Sequence, residues 1–162
     1  MQSWQEEIAR GYELYRQGEH REVLKLFARL RLEYPEVAQV WHESAGMHDR
    51  MGFEEDAAPL YERALALGLA GEELVDCLIC LGSTYRNLGQ LEDSLRRLED
   101  ARRLQPDNLA IQAFLSLTLA DLGHGADAVR LLGQALLRES DDGKLQGYNR
   151  ALKEYFATVG RV

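Results

Sequence analysis

Cys77-Leu78-Ile79-Cys80 has the C-x-x-C spacing of a dithiol redox centre or of half a zinc site. A redox pair needs its first thiol at the start of a helix that follows a strand, where the helix dipole stabilises the thiolate. Here both cysteines fall several residues inside an apolar helical stretch, with no strand pattern nearby. A zinc site needs two further ligands, and the chain has no second C-x-x-C and no H-x-x-x-H. The expectation is two buried structural thiols. His42-Glu43 resembles the opening of H-E-x-x-H, but the second histidine would fall on Gly46, and His48 lies on another helix face. Gly123-His124-Gly125-Ala126-Asp127-Ala128 matches G-x-G-x-x-A. It follows a helical stretch rather than a strand, so it reads as a turn and not as a dinucleotide loop. The carboxylates Glu54-Glu55-Asp56, Glu72-Glu73 and Asp141-Asp142 gather at helix starts, where they suit the helix dipole and can cap free N–H groups. Nothing pairs them across a cleft. No catalytic residue, metal or cofactor is expected, and so no enzyme.

The elements that would position these residues follow from composition and periodicity. A chain of 162 residues suits one domain, and 46% apolar with 28% charged residues is ordinary for a soluble globular protein. Only three prolines occur, and Leu, Ala, Glu and Arg dominate, which favours helix. A net charge of −8 repels phosphate backbones, so no nucleic-acid partner is expected. No apolar run is long enough to span a membrane, and no membrane partner is expected. The opening Met1-Gln2-Ser3-Trp4-Gln5-Glu6-Glu7 has neither the basic nor the apolar region of a secretory signal; with only two cysteines, a cytoplasmic location is the expectation.

An internal repeat organises the chain. Gly18, Gly52, Gly89 and Gly123 are spaced 34, 37 and 34 residues apart, each between two amphipathic stretches. Seven residues before them stand the small residues Gly11, Ala45, Gly82 and Ser116. Beyond them come Val23, Ala57, Ser94 and Ala128, then the bulky Phe27, Tyr61, Leu98 and Leu132, then Leu30, Ala64, Ala101 and Ala135. Small residues let two antiparallel helices approach, and the bulky residue fills the hole beside them. One such pair cannot bury both its faces, so pairs must stack. The pattern predicts an all-α single domain over 1–162, with pairs at about 3–35, 37–69, 72–106 and 108–140 and a last helix at about 142–158 that closes the open end. Ser3 with Glu6 predicts a capping box, and Pro35 and Pro106 mark the ends of two second helices. The three extra residues between Gly52 and Gly89 are placed in Gly68-Leu69-Ala70-Gly71, with a local widening.

These columns resemble the tetratricopeptide repeat. Trp41, Ala45, Gly52, Ala57, Tyr61 and Ala64 carry the best match, and Leu81, Gly82, Tyr85, Gly89, Ala101 and Pro106 a second. Repeat one departs at Arg10 and Leu14; repeat four has Gln112 for the aromatic and Ser140 for the proline. The resemblance implies a right-handed superhelical solenoid of about nine helices, whose first helices line a concave groove that binds a peptide or helix of another protein. The residues it assigns to that groove include Ile8, Tyr12, Tyr15 and Arg16; His42, Gly46, Asp49 and Arg50; Ile79, Ser83, Arg86 and Asn87; and Ala113, Leu117, Ala120 and Asp121. Arg16, Arg50 and Arg86 recur near the ends of the first helices and could form a ladder gripping carboxylates, or be solvated and locally paired. The lysine–asparagine clamp for acidic chaperone tails is missing: its places hold Ile8, Tyr12, Gly46, Asp76 and Cys80. The groove side of repeat four, Ala113, Phe114, Leu117 and Ala120, is apolar and should be covered, by the last helix, a second copy of the chain or a partner helix. The alternatives to a peptide-binding scaffold are a homodimeric, self-associating protein and a small acidic chaperone for secreted clients.

Overall fold

The structure, a computed structural model, describes residues 3–140, 145 and 147–160. Among them nine helices and no strand occur: α1 Trp4–Arg16, α2 His20–Glu33, α3 Ala38–Arg50, α4 Glu54–Ala66, α5 Gly71–Asn87, α6 Leu91–Leu104, α7 Leu109–Asp121, α8 Gly125–Glu139 and α9 Asn149–Thr158. The capping box opens α1: Ser3 Oγ accepts from the Glu6 N–H at 3.3 Å, and Glu6 Oε2 accepts from the Ser3 N–H at 3.0 Å. The acidic residues that open α4 and α5 lie in their first turns and favour the dipole, but neither helix has a side-chain cap. Asp141 and Asp142 lie outside the described residues.

Each first helix ends the same way. Phe53 N–H reaches back to the His48 carbonyl at 2.9 Å and Gln90 N–H to the Tyr85 carbonyl at 2.8 Å, over glycines at φ 78° and 74°. This closure needs a left-handed residue, which is why Gly52 and Gly89 recur at the turn. The second helix then folds back, and the small-to-bulky columns meet. A Cβ on Gly11 would stand 2.5 Å from the Phe27 ring, and one on Gly82 would stand 2.6 Å from Leu98 Cγ. Phe27, Tyr61 and Leu98 are at most 1% exposed.

The stacking has an inside and an outside. Successive first helices touch one another, α1 with α3, α3 with α5 and α5 with α7, whereas α2, α4, α6 and α8 do not. The first helices therefore crowd the concave side and the second helices splay on the convex side. The core runs through the stack in clusters that each join two repeats, such as Phe27 and Leu30 with Val40 and Met47 and Ala101 with Ile111.

Several expectations are corrected. The extra residues between repeats two and three lengthen α5, which begins at Gly71 and runs 17 residues. The loop before it is filled rather than widened, with Leu69 buried beside Ala64 and Cys77. The last helix begins at Asn149 rather than about 142, because Leu145 and Gly147 lie in turns and Gly147 takes φ 81°; Lys144 lies outside the described residues. Among the described residues α9 packs on α8 alone and leaves the groove side of repeat four uncovered.

Candidate functional site

The concave face is built from α1, α3, α5 and α7, and polar side chains stitch these helices together. Tyr12 Oη donates to Glu43 Oε2 at 2.5 Å, and Tyr15 Oη to the Arg50 carbonyl at 3.3 Å. His42 Nε2 and Asp76 Oδ2 stand 3.1 Å apart. Thr84 Oγ1 donates to Asp49 Oδ2 at 3.2 Å, and Tyr61 Oη to the same oxygen at 3.4 Å. Arg86 Nε forms an ion pair with Asp121 Oδ2 at 2.6 Å.

At the repeat offsets, Tyr15, Asp49 and Arg86 hold one position, and Ile8, His42 and Ile79 hold another. Much of the stripe assigned to the groove from sequence is thus the seam where each first helix meets the next. His42 is 9% exposed and Ile8 equally so, while Ile79 is half-buried against Val75, Leu78, Ala101 and Ile111. The arginine ladder is broken up by local pairing. Arg16 is bound by Glu13 at 2.7 Å and Arg86 by Asp121. Arg50 alone of the three forms no ion pair among the described residues; its guanidinium lies 5.5 Å above the Tyr12 ring. Gly46 makes this possible, since a Cβ there would stand 2.7 Å from Arg50 Nη1. Asn87 is exposed at the end of α5, and Leu117 is exposed on α7.

The centre of the concave face is therefore Tyr12, Glu43, Arg50 and Asp76, backed by His42. Asp76 was named from sequence only as standing at a place of the missing lysine–asparagine clamp, and Glu43 was not singled out as a groove residue; its signal is position, three residues before Gly46. Burial first, and then the hydrogen bond to Glu43, push the Tyr12 phenol up to about 12. The hydrogen bond from His42 holds the Asp76 carboxyl below its ordinary range. The site thus offers a carboxylate, a guanidinium and a neutral phenol side by side.

Cys77 and Cys80 sit within α5, one buried and one half-buried, both free. Burial raises both thiols, Cys80 to about 11, which disfavours the thiolate form that redox exchange uses. His48 Nδ1 is taken up by the Ser44 carbonyl at 2.8 Å. Among the described residues no three His, Cys, Asp or Glu side chains gather as a metal would require. Leu122, Gly123 and His124 form the turn into α8, which opens at Gly125.

Repeat four shows how a departure from the pattern is compensated. Trp41 Nε1 donates to the Pro35 carbonyl at 2.9 Å, and Gln112 Nε2, at the same register position, donates to the Pro106 carbonyl at 2.8 Å. Glutamine keeps the hydrogen bond that ties the preceding turn to the first helix and drops the aromatic bulk.

The family model for the tetratrico peptide repeat matches residues 38–159. The chain belongs to the tetratricopeptide repeat family. Repeat one lies outside the matched span, yet Gly11 and Phe27 pack as their counterparts do. Solved structures are similar in fold. A MamA protein superimposes with a TM-score of 0.72 at 16% identity, covering 85% of this chain and 74% of its own. YrrB, described as a TPR protein with an unusual peptide-binding site, gives 0.70 at 18% identity, over 96% of this chain and 78% of its own. TTC0263, a thermophilic TPR protein of Thermus thermophilus, gives 0.64 at 25% identity, over 98% and 84%. A comparison with curated protein sequences found no significant match. Tetratricopeptide proteins bind other proteins or peptides, and this fold is that of an interaction scaffold. No helix among the described residues is long and apolar enough to cross a membrane.

Proposed function

We propose that the chain is a non-catalytic scaffold that holds an extended peptide segment of another protein on the concave face of α1, α3 and α5. The observation that carries this reading is Arg50. It is exposed, lies against Tyr12 with no carboxylate bound to it among the described residues, and stands in a series whose other arginines are paired. Its charge lowers Asp76 and opposes the rise at Tyr12, so these groups share one field. A peptide backbone presents carbonyls and N–H groups in turn. Arg50 donates to the former, while Asp76 and Glu43 accept from the latter. The carboxylates outnumber the guanidinium, so basic side chains are accepted beside Arg50 more readily than acidic ones. The likeness to YrrB, at 18% identity, carries the fold and not the site.

The test is selection of peptides from a displayed library, with affinities measured by fluorescence anisotropy. Arg50→Ala and Asp76→Ala are each expected to weaken binding by about tenfold. Arg86→Ala, which breaks an internal ion pair, leaves affinity nearly unchanged. Peptides that bind both groove variants as well as the original chain would exclude this face.

A further inference from the structure

Every repeat has a side that receives the next repeat, and in repeat four much of that side is bare among the described residues. In α7 it consists of Ala113, Leu117 and Ala120, and in α8 of Val129, Leu132 and Leu136. In earlier repeats these positions are occupied. Tyr12, the counterpart of Leu117, bonds to α3. Arg31, the counterpart of Leu136, donates to Ser44 of α3 and lies 6.0 Å from the Trp41 ring. Phe27, Tyr61 and Leu98 are sealed from water, whereas their counterpart Leu132 is 46% exposed. Val129, Leu117 and Leu136 are exposed to the same degree, at 46%, 46% and 48%. The six side chains are all apolar, and the flanking charges Asp121 and Asp127 are already paired with Arg86 and Arg130.

The helix that follows does not fill this slot. The α9 ring of Phe156 presses on Gly133, at one margin of the stripe one turn on from Val129, Arg130 Nη2 donates to the Val159 carbonyl at 2.8 Å, and α9 makes no contact with α7 among the described residues. While Phe156 is held there, α9 cannot also lie across α7. It carries a partly filled stripe of its own: Tyr148, just before its first turn, Leu152 and Tyr155 stand at i, i+4 and i+7; Leu152 is half-buried and the two tyrosines are 65% and 66% exposed. The bare end needs a helix with one apolar stripe, and the same end of the chain supplies one that it cannot use itself.

We propose that this end binds a second copy of the chain, each copy laying the Tyr148–Leu152–Tyr155 stripe of α9 across α7 and α8 of the other. A two-fold contact of this kind is self-complementary, and both unfilled surfaces are buried at once. Charge favours this end over the concave face. Each chain carries −8, and a two-fold contact through the concave face would set Glu43, Glu73 and Asp76 against their own copies. The six side chains of the bare end carry no charge. This dimer leaves α1, α3 and α5 open and so stands independently of the peptide-binding reading.

Light scattering on the full chain, followed through a dilution series, tests it. The expected mass is that of two 18.4 kDa chains. Leu132→Glu and, separately, Tyr155→Glu are expected to raise the dissociation constant by about tenfold or more. Tyr155 is largely exposed within the single chain, so its replacement keeps the test valid if the Leu132 variant loses helicity. The double variant L136C/Y155C, oxidised, is expected to run as a covalent dimer on a non-reducing gel. A monomer at every concentration, a dimer untouched by either glutamate, or a disulfide closed within one chain would overturn the proposal.

Discussion

Replacing Gly82 by alanine sets two effects of similar size against each other. Alanine in a helix interior gains about 1 kcal/mol over glycine. Against that, its Cβ would stand 2.6 Å from Leu98 Cγ and 2.9 and 3.3 Å from the two Leu98 methyls. Leu98 is wholly buried. The two helices cannot easily part, because Arg97 of α6 grips Glu62 at 2.7 Å while Tyr85 of α5 donates to that same carboxylate at 2.7 Å. Overpacking of this kind costs about 1–3 kcal/mol, so Gly82→Ala should lose about 1 kcal/mol net. The column itself does not demand glycine, since Ala45 and Ser116 hold the same place; the objection comes from Leu98. Leu98→Ala alone should cost about 2–5 kcal/mol through its cavity. In that background Gly82→Ala meets nothing and becomes stabilising by about 1 kcal/mol, a coupling of about 2 kcal/mol. Urea denaturation followed by circular dichroism, with unchanged slopes, measures all four species. A stabilising Gly82→Ala in the original chain, or additive effects in the double variant, would refute the packing argument.

Three further outcomes follow from the same structure. Cys80, raised from 9.0 to about 11 by burial and Asp76, should react with iodoacetamide at pH 8 about a hundredfold more slowly than an unhindered thiol, gaining about tenfold per pH unit; a rate matching a small-molecule thiol would contradict its burial. Asp49, raised above 3.8 mainly by burial, costs stability while charged. Because its folded value exceeds the unfolded one, that cost is present above the folded value and vanishes below 3.8. Asp49→Asn, which keeps an acceptor for Tyr61 and Thr84, should therefore raise the urea midpoint at pH 7 and make no difference below pH 3.8. Trp41→Phe and Gln112→Leu each remove the hydrogen bond to a proline carbonyl and should each lower stability by about 1 kcal/mol or more; a neutral Gln112→Leu in thermal melts would mean that the glutamine bond contributes nothing.

The repeat was legible because it rests on local physics. Turn glycines, small residues that let helices approach and bulky residues that fill the gap recur at fixed spacing, and each acts within one helix pair. The thiols were legible in part for the same reason: both lie inside an apolar helical stretch, but only Cys77 is fully buried, and Cys80, expected to be buried too, is half-buried. What the sequence left open concerns the relation between pairs. Its periodicity identifies a stripe on each first helix that is not used within the pair. It does not say whether that stripe faces open groove or the next repeat, because both directions lie on the same side of the helix. Stacking decided that Tyr15, His42 and Arg86 mostly face the next repeat, and that Arg50, able to lie over Gly46 onto Tyr12, is the one of the three arginines with no ion pair among the described residues. It also decided the fate of the last helix. An amphipathic pattern states that α9 has an apolar face to bury, but the seat of Phe156 on Gly133 holds it to one side of α8 and leaves the end of the stack bare.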